Sequence, residues 1–126
     1  MRRALPKPAN AVTVAPGASA VILTTEDNET YGYDVYLRAL GVDLSPTSNA
    51  DFAVFRLRVN GKPVRPFEAM TSRIAPSYDP ARFVDPIYLG RGVKVDLFGE
   101  IAGGATGNSV MVGSFELALA SPGESP

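Results

Sequence analysis

Hydrophobic and polar residues alternate with a period of two through most of the chain, the signature of strands that bury one face. From Tyr31 to Leu44, Tyr31, Tyr33, Val35, Leu37 and Ala39 fall on one face. Gly32, Asp34, Tyr36, Arg38 and Leu40 fall on the other. Phe55, Leu57 and Val59 alternate with Arg56 and Arg58. Val93, Val95, Leu97 and Gly99 alternate with Lys94, Asp96 and Phe98, and the same period runs from Val110 to Ala120. Shorter β-rich runs lie at 12–14, 20–25, 70–74 and 82–89, the last interrupted at Pro86. No window carries the 3.6-residue period of an amphipathic helix. The stretches 50–54 and 67–72 predict single helical turns at most.

Turn chemistry separates these runs. Asn60-Gly61 between 52–59 and 62–67 is the sharpest signal, because a type I′ hairpin needs positive φ at both central residues. The returning segment holds Pro63 and Pro66, so it forms a short or edge strand. Pro16-Gly17, Glu26-Asp27-Asn28-Glu29, 45–49, 76–80, 90–92 and the Gly-rich 102–109 read as loops. Seven to eight short strands at about twelve-residue spacing predict an all-β fold, a two-sheet sandwich or jelly roll. Residues 1–10, with Pro6 and Pro8, read as an extended N-terminal arm. Residues 11–120 form the sandwich domain, and 121–126 a polar C-terminal tail.

With 126 residues, the chain holds one domain. Its composition narrows the chemistry sharply: there is no Cys, no His and no Trp. Disulfides, thiolate nucleophiles, the usual zinc ligand sets and His-dependent triads are all excluded. We therefore expect no enzyme, no metal and no cofactor. Twelve basic residues, nine of them Arg, stand against 13 acidic ones, a net charge of −1. Neither a nucleic acid nor an anionic membrane is an expected partner. No apolar run reaches the roughly 20 residues that span a bilayer. The N-terminus carries basic residues without an apolar stretch behind them, unlike a signal peptide. Assembly in a cytoplasm is the expectation.

The remaining candidate sites are modest. Glu26, Asp27 and Glu29 offer oxygen ligands for a hard cation, but their spacing fits no EF-hand loop, and a solvated hairpin tip explains them. Asp79 and Asp85, near Arg82, would suit a carboxylate pair in glycoside hydrolysis, though Asp before Pro also marks turns. Tyr31, Tyr33 and Tyr36 would line a ligand groove or serve as cross-strand packing. Gly103-Gly104-Ala105-Thr106-Gly107 lacks the Lys and the helix of a phosphate loop. Arg56 and Arg58, with Lys62 and Arg65 across the hairpin, predict a basic patch fit for phosphates or an acidic protein surface, or else a solvent-facing strand whose charges deter edge-to-edge aggregation. Arg2, Arg3 and Lys7 form a second basic cluster on the arm. The expected partner-contact residues are thus Arg2, Arg3, Leu5, Lys7, Arg56, Arg58, Lys62 and Arg65.

The second half has a further layout. Val59-Asn60-Gly61-Lys62-Pro63-Val64 leads through a loop to Asp85-Pro86-Ile87-Tyr88-Leu89. Gly92-Val93-Lys94-Val95-Asp96-Leu97-Phe98-Gly99, a Gly-rich loop and Val110-Met111-Val112-Gly113-Ser114-Phe115-Glu116-Leu117 follow. Over residues 50–120 this resembles the small β-sandwich structural proteins of tailed bacteriophages, which serve as capsid decoration (cement) or head-fibre components. The resemblance implies a virion structural protein on the capsid surface, bound to the major capsid protein lattice, and by analogy a homotrimer. It brings no catalytic residues with it. The alternatives are a carbohydrate- or receptor-binding sandwich that uses the loops around 26–31, 76–86 and 102–109, or a tail or baseplate component.

Overall fold

Eight antiparallel strands make up the computed structural model, which describes residues 3–26, 29–71, 75–76 and 78–122. They are β1 (Arg3–Val14), β2 (Ser19–Thr24), β3 (Asp34–Ser45), β4 (Ala53–Val59), β5 (Lys62–Pro63), β6 (Ala81–Arg91), β7 (Val95–Ile101) and β8 (Ser109–Ala120). A 3₁₀ turn, Thr47–Phe52, joins β3 to β4. Sheet A has the order β1-β8-β3-β6 and sheet B the order β2-β7-β4-β5. The expected two-sheet all-β sandwich is therefore present, with eight strands.

The strand order has a simple origin. β1 pairs with β8, β2 with β7, β3 with β6 and β4 with β5, all antiparallel. The chain is one long hairpin folded back at Asn60-Gly61 and then rolled into two sheets, which is the jelly-roll arrangement. At the apex Asn60 has φ 52° and Gly61 φ 82°, as a type I′ turn requires. The apex is pinned from outside: Asn60 donates its N–H to the Lys94 carbonyl at 2.8 Å, and the Lys94 N–H donates to Asn60 Oδ1 at 2.9 Å. The returning strand is only two residues long, in keeping with its prolines.

The core lies between the sheets. Val35, Leu37, Leu40, Val42 and Leu44 of β3 and Met111, Phe115, Leu117 and Leu119 of β8 face Phe55, Leu57, Val95, Leu97 and Ile101 of sheet B. Fully burying each large side chain stabilises the fold by about 1.5–3 kcal/mol. One sequence expectation is corrected here. Strict alternation puts Ala39 beside Val35 and Leu37. A register shift between Leu37 and Ala39 instead places Arg38 in a bulge, so Ala39 pairs with Glu116 and Leu40 with Phe115. The bulge reverses the phase of β3 and delivers Leu40, Val42 and Leu44 to the core.

The central strands approach closely at two glycines. A Cβ on Gly113 of β8 would lie 2.2 Å from Leu97 Cδ2, and one on Gly99 of β7 would lie 2.7 Å from Met111 Sδ. Leu97 thus occupies the space over Gly113, and Met111 the space over Gly99. At one end of the sandwich, Asn49 ties three segments together. Fully buried, it donates from Nδ2 to the Thr106 carbonyl (3.1 Å) and to Ser109 Oγ (2.9 Å), and accepts from the Thr106 N–H (3.2 Å). The Gly17 N–H donates to the Ile101 carbonyl and the Ala102 N–H to Phe52, bringing loops 15–18, 46–52 and 102–108 to this end. The opposite end is held by two buried threonines: Thr30 Oγ1 donates to the Val93 carbonyl, and Thr25 Oγ1 accepts from the Val95 N–H.

Two expectations follow for stability. Gly113→Val should cost about 3 kcal/mol, the upper range for overpacking, and lower the Tm by roughly 10 °C. Gly113→Ala should cost about 1 kcal/mol, and an unchanged calorimetric Tm in both would refute the close approach. Asn49→Ala strands the Thr106 N–H and should cost about 2 kcal/mol in urea titrations, with loop 102–108 becoming the first site of proteolytic nicking.

Candidate interaction face

Of the expected contact residues in the N-terminal segment, Leu5 and Lys7 are half-buried and Arg3 is exposed. From Arg3 on, this extended segment is the first part of β1 and lies along β8. Arg3, Leu5 and Lys7 stand opposite Leu119, Leu117 and Phe115, whose side chains face the core. Leu5 packs against that core. The Arg3 guanidinium lies 5.4 Å over the Tyr33 ring and donates to the Glu29 carbonyl at 3.5 Å. Lys7 Nζ donates to Glu29 Oε1 at 3.1 Å. Burial opposes ionisation of Glu29, but the Glu26 N–H, the Lys7 ammonium and the Arg3 guanidinium together outweigh it and hold the carboxyl below its ordinary value of 4.5. Arg2 lies outside the described residues.

The basic patch expected on β4 is corrected by its neighbour β7. Arg58 stands directly opposite Asp96, and Arg56 lies diagonal to Glu100. Arg58 Nη2 lies 3.5 Å from Asp96 Oδ2, and its guanidinium covers the Phe98 ring at 4.2 Å. Arg56 donates to Glu100 Oε1, and Thr24 Oγ1 donates to Asp96 Oδ1. Arg56 and Arg58 are therefore each paired with a carboxylate of β7. Lys62 and Arg65 are exposed, and Arg65 pairs with Glu68 at 3.5 Å.

The other candidates are dispersed. Asp79 and Asp85 are both exposed. Asp27 and Asn28 lie outside the described residues, and Glu29 is spent on Lys7. Among the described residues no group of three or more acidic side chains is placed to hold a metal ion, and no helix is long and apolar enough to cross a membrane. Loops 26–31 and 102–109 sit at opposite ends of the sandwich, so they do not share a site. Tyr31 is exposed and Tyr33 lies under Arg3. Tyr36 meets Tyr88 with ring centroids 5.2 Å apart.

Four sheet edges remain, and each is blunted. β1 carries Pro6, Pro8 and a register shift, and β5 ends at Pro63. Irregular bonds from Phe67 and Met70 to β4 continue that edge. β6 carries Pro86 and two register shifts. β2 is bridged to β1 by Asn10 Nδ2 on the Ile22 carbonyl at 2.8 Å. Proline, bulges and short strands are the usual protections against strand addition.

The outer face of sheet A offers the broader surface. Its centre is built from small residues that are themselves buried, Ala118 and Ser114 on β8 and Ala39 and Gly41 on β3, with exposed Ala4, Pro6 and Ala11 on β1. Two recesses open on it, one of about 290 Å³ between Ala4, Ala118, Arg3 and Arg38, and one of about 180 Å³ beside Pro6, Ser114 and Arg82. At one margin Asp34 is nearly buried. It accepts from Arg91 Nε at 3.2 Å and from the Tyr88 hydroxyl at 3.3 Å. Burial, then the Asp34 charge and its hydrogen bond, push the Tyr88 hydroxyl above its ordinary value. In the middle, Arg38 and Arg82 both reach Glu116 Oε2, at 3.7 and 3.4 Å. Sequence reasoning missed this trio. Arg38 and Glu116 sit on strands 78 positions apart, and only the β3 bulge brings them to one spot. A third recess, of about 270 Å³, lies by Phe52 and Glu100 at the loop end.

No family model matches the chain, and no curated protein matches it significantly. What the face does must be argued from its own residues.

Glu29 gives a pH-dependent expectation. A carboxyl with a lowered folded pKa contributes stability above its unfolded value and loses it as pH falls through the folded one. At neutral pH Glu29→Gln should cost about 0.5–1 kcal/mol, the scale of a partly exposed pair. That difference should shrink from about pH 4.5 downward. A Tm gap that stays constant from pH 7 to pH 3 would remove Glu29 from the account.

Proposed function

We propose that this chain is a non-enzymatic structural protein that clamps onto a larger assembly through the outer face of sheet A. The assembly is a tailed-phage capsid, with the major capsid protein lattice as partner and the chain in the role of a decoration protein. The observation that carries the reading is the small-residue floor of that face in a sandwich whose four edges are blunted. Such a surface accepts another protein broadly and closely but resists uncontrolled strand addition. Jelly rolls are frequent among viral capsid and lectin domains, and the layout of residues 50–120 resembles phage head proteins. Both are analogies of architecture. A homotrimer is the state that goes with this reading.

One observation favours a second reading, a carbohydrate-binding module. The exposed Tyr88 ring beside Tyr36, next to the fixed Asp34–Arg91 pair, combines an aromatic surface with oriented polar groups. A glycan array hit abolished by Tyr88→Ala, without shell binding, would replace the capsid reading.

The direct test uses empty shells assembled from the major capsid protein encoded in the same genome. Wild type and the hairpin-tip variant Lys62→Glu should co-sediment with shells, whereas Ala11→Arg, on the exposed outer face of β1, should stay in the supernatant. Absence of wild-type binding at saturating shell concentration, or full binding by Ala11→Arg, would overturn the reading.

A further inference from the structure

Several cations among the described residues each meet a carboxylate of their own. Arg56 meets Glu100, Arg58 meets Asp96, Lys7 meets Glu29 and Arg91 meets Asp34. Arg38 and Arg82 instead converge on one oxygen of one carboxylate, Glu116 Oε2, from adjoining strands. Each guanidinium carries five N–H donors, and one shared oxygen engages few of the ten. Both contacts are long for charge-assisted bonds, which run about 2.7–2.9 Å when fully formed. Arg82 is 63 % exposed, so its fork faces solvent over the floor of the face.

We propose that the outer face of sheet A seats an acidic segment of the partner protein. A carboxylate of that segment takes the free guanidinium edges of Arg38 and Arg82, and its stem rests on exposed Ala4. The inference rests on the reading of this face as the partner surface and names the chemistry that face selects. Charge complementarity favours a protein carboxylate over a polyphosphate. Nucleic-acid binding needs a run of unneutralised cations, whereas here Glu116, Asp34 and Asp43 share the face with the arginines. The planar fork of Arg matches a carboxylate in bidentate fashion. The adjoining recess, about 290 Å³ with an alanine floor, is the size of a side chain or two and not of a folded element.

The test is a titration of the isotope-labelled full chain with a short acetylated oligo-glutamate peptide, followed by NMR on the arginine Nε–H signals. Wild type should bind this peptide, with shifts at Arg38 and Arg82, and should ignore the oligo-glutamine counterpart. Arg82→Gln, at a largely exposed position, should weaken binding about tenfold, the effect of one lost charge-assisted pair. The Arg38→Gln/Arg82→Gln double variant should abolish it. Glu116→Gln removes the competing carboxylate and should tighten binding. Full affinity in the double variant, shifts confined to Arg56, Arg58 and Arg65, or equal affinity for a thymidine oligonucleotide would each overturn the proposal. Shell sedimentation separates the two readings. Shell binding unchanged in the double variant sinks the carboxylate site alone, while peptide binding without shell binding sinks the capsid reading alone.

Discussion

Two side chains and two glycines hold the sheets at their working distance. Leu97 projects from β7 onto Gly113 of β8, and Met111 projects from β8 onto Gly99 of β7. β7 and β8 are interior strands of their respective sheets, so this reciprocal contact fixes the spacing from which both sheets are built outward. Interiors pack like crystals, and a displaced methyl on either side has nowhere to go. The neighbours inherit the spacing. Ile22 reaches both glycines from β2, and Phe115 and Leu40 close the layer on the other side. β8, which carries Ala118 and Ser114 on its outer side, is the strand whose inner side interlocks with β7.

Much of the fold could be read along the chain, and the failures share one cause. Period-two alternation located the strands, and Asn60-Gly61 located the apex of the roll. Those signals are local: they depend on residues within a few positions of each other. What alternation could not reveal was the phase reversal at Arg38, because a bulge is a property of two paired strands and not of one. The same limit misassigned the charges. Arg56 and Arg58 read as a free patch from their own strand alone, and their neutralisation by Asp96 and Glu100 required knowing that β7 lies beside β4. Likewise Arg3 and Lys7 read as an arm's grip until β1 was placed along β8, over Glu29 and Tyr33. Asn49 looked like ordinary loop composition, and its role appears only once loop 102–108 stands against it.

The distribution of charge then acquires a direction. Arg56 and Arg58 on sheet B and Lys7 on β1 each meet a carboxylate of their own. On sheet A, Arg38 and Arg82 share the one carboxylate of Glu116. Among the described residues, proline and irregular registers mark the sheet edges, features that discourage strand addition.

The fold-back pairing has a kinetic side. Paired residues stand at nearly equal distances from the Asn60-Gly61 apex, from Arg58 with Pro63 out to Arg3 with Leu119. Most pairings are therefore remote in sequence, and high contact order slows folding. Yet each pairing, once made, shortens the loop the next must close, so the entropy of each later step is small. The cheapest order of assembly runs outward like a zip from the middle of the chain, and the strand bearing Arg3, Leu5 and Lys7 is the last to be laid down.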